Sequence, residues 1–400
     1  MALEPYRRLL AIPGVRSLLL VGLVARIPST AIAITLTMHV VDHSGLELGF
    51  TAAGLVTMAS TVGMAVGSPL AGRFVDSRGL RPVLVVTTLA QLAFWSTAWA
   101  MPFPLLLAAS VPAGLLSLPV FSVIRQCLTA LVPAEQRRMG FSLDSMIVEL
   151  SYMAGPALAV AGVTILGSVP TMGIVAVGLV ASGVALIVLN PPVRSDEELQ
   201  EPVVKVPRRR WLTPGMLGLL GTVAAATFVL AATELSLVAT MTRDGDTEWV
   251  GLAIGLWCAY SLMGGFVYGM LPRGVSPLIL IGAMGVLTVP VGLVGGDWHW
   301  LVLALLPAGV LCAPALSSTI ETVTRWVPAG ARGEAMGLHG TALLIGAGSA
   351  APVAGVIIDG PGPGWAFAAA GLVGVVMVLV ALPFWRRTAA VVEEPVPVAA

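Results

Sequence analysis

Polar residues are sparse and clustered along this chain, and between the clusters the apolar positions run on without the period-two alternation of a half-buried strand. A run of about 18 or more apolar residues can cross a bilayer as a helix, because about 20 residues at 1.5 Å rise span a hydrocarbon core of roughly 30 Å. Twelve such runs are predicted, over 15–40, 48–73, 81–101, 104–131, 140–166, 170–190, 214–241, 249–271, 276–296, 299–327, 333–358 and 364–385. A membrane barrel is excluded, since these runs lack the alternating polar face that a water-filled lumen needs. The expected fold class is an all-α membrane protein with twelve transmembrane helices.

Composition agrees: 57% of the 400 residues are hydrophobic and 10% charged, against about 25% charge in soluble domains. Counting helices from the N-terminus puts Arg7, Arg8, Arg16, the arginines of 73–81, Arg137, Arg138, Arg194 to Arg210, Arg273, Arg325, Arg332, Arg386 and Arg387 on one side. By the positive-inside rule that side is cytoplasmic. The other side holds Arg243 with Asp42, Glu47, Asp244, Asp246, Glu248, Asp297 and Asp359. Both termini are therefore expected inside, in a multi-pass protein of the inner (plasma) membrane. The first apolar run is too long for a signal peptide, so the first helix is expected to be retained. Cys127, Cys258 and Cys312 are isolated within predicted spans and read as packing residues, so no metal site is expected.

The one long polar connector, PPVRSDEELQEPVVKVPRRRWLTP, runs from Pro191 to Pro214. Its prolines and mixed charge mark a linker. The expected organisation is a six-helix bundle at 1–190, a cytoplasmic linker at 191–213, and a second six-helix bundle with a short tail at 214–400. LTALVPAEQRR, ending at Arg138, is echoed by VTRWVPAGARG, ending at Gly333, at an offset of 195 residues. GSPLAGR from Gly67 is echoed more faintly by GGFVYGM from Gly264. Parallel repeats of this kind build transporters with a substrate site at the midplane.

The stretch GSPLAGRFVDSRGLR, Gly67 to Arg81, sets three arginines and an aspartate between two apolar runs, and reads as a charged hairpin between membrane helices. It resembles the signature between the second and third helices of the major facilitator superfamily of secondary transporters. SYMAGPALAVAG, Ser151 to Gly162, is similar to the fifth-helix signature of drug/proton antiporters, centred on Gly155 and Pro156, with Ala159 and Val160 where that signature has paired glycines. The resemblance implies two six-helix bundles rocking about a central cavity, with Gly67, Gly72, Arg73, Asp76, Arg78, Gly79 and Arg81 forming a gate. Asp76 can pair with Arg73 or Arg81, or cap the positive N-terminus of a helix from the other half. The second copy, YGMLPRGVSP, keeps Gly269 and Arg273 without an acid, so the latch is expected to be asymmetric.

Charges inside the spans cost about 2.5 to 3.5 kcal/mol each on insertion scales and are functional candidates. Arg26, expected at mid-membrane depth, is placed toward the cavity. Arg125 and Glu149 fall at matching depths and can pair, with Asp144 an alternative partner nearer cytoplasmic water. A carboxylate released from an arginine by substrate can take up a proton, so Asp144, Glu149, Arg125, Glu234 and His339 are the proton-coupling candidates. His339 falls opposite Asp144 under the 195-residue offset. Glu321 has Arg325 at i+4, an expected intrahelical pair. Tyr260 is a candidate hydrogen-bonding group for substrate.

Lys205 is the only lysine and lies in the linker, so a Walker A loop is excluded, and no H-E-x-x-H or G-x-S-x-G occurs. No enzyme activity, cofactor or nucleic-acid partner is expected. The expected partners are a small-molecule substrate, protons and the lipid bilayer, for a protein able to work as a monomer. The sequence reading is proton-coupled export of a small apolar or amphipathic compound. Its alternatives are a symporter importing an organic anion with Arg26 as counter-ion, and a non-transporting sensor.

Overall fold

A computed structural model describes residues 4–43, 49–200, 206–294 and 297–393. Glu47, Lys205 and the end of the ninth expected span at 295–296 lie outside the described residues. Every regular element among the described residues is helical. The first sequence half holds α1 (Glu4–Ala11), α2 (Val15–His43), α3 (Gly49–Arg78), α4 (Leu80–Ala98), α5 (Phe103–Leu115), α6 (Val120–Leu131), α7 (Arg137–Leu166) and α8 (Ser168–Leu189). The connector carries α9 (Asp196–Gln200) and α10 (Arg208–Trp211). The second half holds α11 (Pro214–Asp244), α12 (Val250–Met270), α13 (Pro277–Thr288), α14 (Trp298–Gly309), α15 (Cys312–Trp326), α16 (Arg332–Asp359) and α17 (Pro363–Glu393).

Ten helical segments among the described residues are long and apolar enough to cross a membrane. The 19-residue α4 and the shorter apolar stretch Pro277–Leu293 occupy the third and ninth expected positions. Helix is the only open-ended structure available in lipid, because its backbone groups satisfy one another. Local chemistry sets several ends. Thr213 caps α11 by accepting from the Met216 N–H at 3.3 Å, with Pro214 in the first turn. Asn190, in the left-handed region at φ 40°, ends α8 just before Pro191. The amphipathic α1, with Tyr6 and Leu9 buried, is an element the sequence reading did not include.

Two expected spans are broken. The fourth divides into α5 and α6, and the tenth into α14 and α15. At the first break, Gln91 of α4 donates its Nε2 to the Ala113 and Leu116 carbonyls at 2.9 and 3.2 Å, satisfying acceptors that the interrupted helix leaves open. At the second, Ser261 Oγ of α12 accepts from the Ala313 N–H at 3.1 Å.

The internal repeat is visible in the elements. At the 195-residue offset, α5 and α14 start together, α6 and α15 end together, and α7, α8 start with α16, α17. A Cβ on Gly67 would overlap the Leu115 carbonyl, and one on Gly264 the Val310 carbonyl. The faint Gly67/Gly264 echo is therefore the same close helix crossing made twice.

The chain forms two compact units. One comprises Met1–Arg137, Ile147–Val204 and Ala329–Thr341; the other comprises Arg138–Met146, Lys205–Pro328 and Ala342–Ala400. The starts of α7 and α16 thus each pack into the unit built mainly from the opposite sequence half. The first unit's apolar core includes Leu36, Val56, Trp95, Met172 and Leu179. The second's includes Val229, Trp257, Ile281, Leu305 and Phe367.

Candidate gating and coupling site

The Gly67 to Arg81 stretch is a continuation of α3 through Arg78, not a hairpin loop. The turn is confined to Gly79, at φ 83° and ψ 175°, a conformation open essentially to glycine alone. The chain reverses on one residue because the helix can run to its end with its backbone satisfied. Asp76 therefore sits on the last turn of a rigid helix.

Its carboxylate caps α16 in the first unit. Oδ1 accepts from the Gly333 N–H and Oδ2 from the Glu334 N–H, both at 2.9 Å. Gln126 of α6 adds a third bond, donating Nε2 to Oδ1 at 3.0 Å. A carboxylate spread over two adjacent N–H groups meets the positive end of the helix dipole as well as its open donors. Of the two arrangements expected for Asp76, the cap is the one formed. Arg81 donates Nε to the Ile187 carbonyl at 3.4 Å, while Arg73 is exposed. Arg78 is exposed too, its guanidinium 5.1 Å above the Phe74 ring.

The approach needs glycine on both sides. A Cβ on Gly72 would overlap the Gly333 carbonyl, and one on Gly337 the Ser68 backbone. Thr341 extends the seam by donating to the Ala65 carbonyl at 2.6 Å.

The connector reinforces the same junction, which the sequence alone did not reveal. Arg194 donates Nη2 to the Asp76 carbonyl at 3.2 Å. Ser195 and Glu198 form a reciprocal capping box around α9: the Glu198 N–H donates to Ser195 Oγ at 3.3 Å, and the Ser195 N–H donates to Glu198 Oε2 at 3.1 Å. Glu198 also accepts both guanidinium nitrogens of Arg332, the first residue of α16, at 3.0 and 3.3 Å. Burial raises the Glu198 pKa, but the bonds and charge of Arg332, the Ser195 N–H and the Arg137 charge outweigh it, leaving the carboxyl below its ordinary 4.5. The S-x-x-E spacing was the available sequence signal.

The second unit builds its junction with opposite polarity. Arg138 of α7 donates to both Glu321 oxygens at 3.2 Å and to the Leu271 carbonyl, just past α12, at 2.8 Å. This replaces the expected Glu321–Arg325 pair. A bidentate partner on another helix satisfies the carboxylate better than an i+4 neighbour reaching along its own. Ser142 donates to the Gly265 carbonyl alongside. Gln126 and Glu321 are repeat partners, as are Arg138 and Gly333. The same positions thus serve an acid-on-α3 cap in one unit and a base-on-α7 clamp in the other. Arg273 is exposed.

Deeper in the first unit, Arg125 Nη1 lies 3.4 Å from His339 Nδ1, both residues buried. Arginine can only donate, so Nδ1 is the acceptor and carries no proton in this contact. Glu149 is half-buried on α7. Arg26 is fully buried, its guanidinium 5.2 Å from the Phe121 ring centre, and Phe121 lies 6.0 Å from Tyr152. Gly155 faces α2, where a Cβ would overlap Thr30, and Thr30 donates to the Ser151 carbonyl at 2.8 Å. Pro156 is half-buried beside it, inside α7. In the second unit Asp144 is fully buried, Glu234 is exposed on α11, and Tyr260 is packed against the apolar core. The three cysteines are buried.

An all-helical protein with membrane-length spans, an internal repeat and helix-end junctions between repeat copies is a polytopic membrane protein of the transporter class. The family model of the Major Facilitator Superfamily matches residues 18–295, and the chain belongs to that family. A chloramphenicol resistance protein of Streptomyces lividans is 29% identical over 351 residues, covering 84% of this chain and 88% of that protein. The crystal structure of the human organic anion transporter MFSD10 is similar with a TM-score of 0.72 at 15% identity, over 92% of this chain and 99% of that one. A bacterial homologue of the iron transporter ferroportin, in its outward-facing state, is similar with a TM-score of 0.70 at 17% identity, over 94% and 99%. At such identities these two structures speak for the fold.

Proposed function

We propose that this chain is a proton-coupled secondary transporter that exports a small apolar or amphipathic compound by alternating access. The observation that carries the reading is the Asp76 cap on α16. Three bonds meet one carboxylate at a seam of glycines, an arrangement that forms or breaks as a unit. The cap belongs to one state of the cycle and opens in the other. The resistance protein matched over most of the chain supports export, and the scarcity of polar groups in the spans supports an apolar substrate over a sugar.

The coupling role goes to Asp144 and Glu149 together with the Arg125–His339 contact. Protonating His339 at Nδ1 removes the acceptor that Arg125 uses, so a proton there and the contact exclude each other. The test is reconstitution into vesicles holding a pH dye, with a screen of lipophilic compounds against an imposed gradient. Substrate-dependent proton flux, opposite to substrate movement and lost in Asp144→Asn or Glu149→Gln, is expected. Folded protein giving no proton signal with any compound would sink the coupling. One observation favours a second reading: the buried Arg26 beside Phe121 and Tyr152 suits an aromatic carboxylate, and accumulation of such an anion in energised cells would support import.

A further inference from the structure

We infer that the α11–α17 seam is a binding site for an anionic phospholipid, with an acyl chain in an apolar groove and the phosphate on the arginines of α10. The groove, of about 290 Å³, is lined by Pro214, Leu217 and Gly218 of α11 and by Met377, Val380 and Phe384 of α17. Among the described residues no charged one lines it. It exists because Gly218 and Gly221 let the helices close: a Cβ on Gly218 would stand 3.3 Å from that of Ala381, and one on Gly221 2.8 Å from the Met377 methyl. Leu217 and Val380 then stand as walls to either side, each more than half exposed.

Charge complementarity names the occupant. Three consecutive arginines, Arg208 to Arg210, open α10, the last of them four residues before Pro214, and all three are exposed. Trp211, 3% exposed, fixes this turn to the protein, and its indole N–H has no acceptor among the described residues. A phosphodiester supplies oxygens for the guanidinium groups. Positive charge that serves topology alone needs no groove. An apolar slot that ends at a basic turn is the form expected for a lipid with a charged head group.

The test is native mass spectrometry and thermal unfolding of the full chain in neutral detergent, titrated with dioleoyl phosphatidylglycerol, dioleoyl phosphatidylcholine or glycerol 3-phosphate. Phosphatidylglycerol is expected to be retained about tenfold or more over phosphatidylcholine and to raise the unfolding midpoint. Glycerol 3-phosphate is expected to do neither. Replacing all three arginines with glutamine should bring the two lipids within about twofold of each other. Val380→Trp, which fills the groove and leaves the charge, should weaken phosphatidylglycerol retention as well, and it serves if the triple variant does not fold. Equal retention of both lipids, a full response to glycerol 3-phosphate, or an undiminished preference in Val380→Trp would each overturn the site.

Discussion

Asp76 and Gly72 divide the junction's chemistry between them, one supplying the charge and the other the clearance. Asp76→Asn keeps an acceptor but loses the charge that meets two N–H groups, and its destabilisation is expected at about 1 kcal/mol, the usual scale of a lost cap. Turnover should fall much further than stability, as transport assays beside unfolding curves will check. Gly72→Ala forces backbone apart, with an expected cost of about 1 to 3 kcal/mol. Gly79→Ala meets no neighbour within 4 Å, so its cost should come from the positive φ alone, about 1 to 3 kcal/mol. The two glycine variants are thus separable by Asp76→Asn backgrounds: Gly72→Ala should lose part of its effect there, since both act on one seam, while Gly79→Ala should add. The sequence exposed Asp76 because a lone acid among arginines wants a partner. It left cap and ion pair equally open, because the groups that donate to Asp76 are backbone N–H groups 257 and 258 residues away, and backbone groups leave no mark in composition.

At the scale of elements, the connector is more than a tether. Glu198 ties α9 to α16, and its lowered pKa fixes the sign of the pH effect. The tie is complete above the ordinary carboxylate value of 4.5 and is lost as pH falls through the depressed folded value. Unfolding midpoints of wild type and Glu198→Gln should therefore differ at neutral pH and converge as pH falls through that depressed folded value. In the second unit, Arg138→Gln removes a bidentate partner from Glu321 and is expected to cost about 1.5 to 3 kcal/mol, measurable as a lower unfolding midpoint. Helix positions were legible because continuous apolar runs admit no other lipid-stable form. The breaks after α5 and α14 were not. They are held by Gln91 and Ser261 on neighbouring helices, and a side chain that repairs a broken helix from elsewhere looks, in sequence, like an ordinary polar residue in a span.

On the scale of the whole molecule, the repeat governs the architecture while its two copies differ in chemistry. The Val-Pro-Ala echo announced the offset, and the element boundaries from α5 onward keep it. The Asp76 cap and the Arg138 clamp occupy repeat-related places with reversed charge. Substrate identity does not follow from fold, since one scaffold hosts many cargoes. The most direct test of export is uptake of chloramphenicol, named for its resistance-protein relative, and of other lipophilic aromatics into energised inside-out membrane vesicles carrying this protein. Accumulation of at least one compound, collapsed by a protonophore and reduced by Asp76→Asn, is the expected result. Vesicles with folded protein that gather none of them above empty controls, gradient or no gradient, would contradict it.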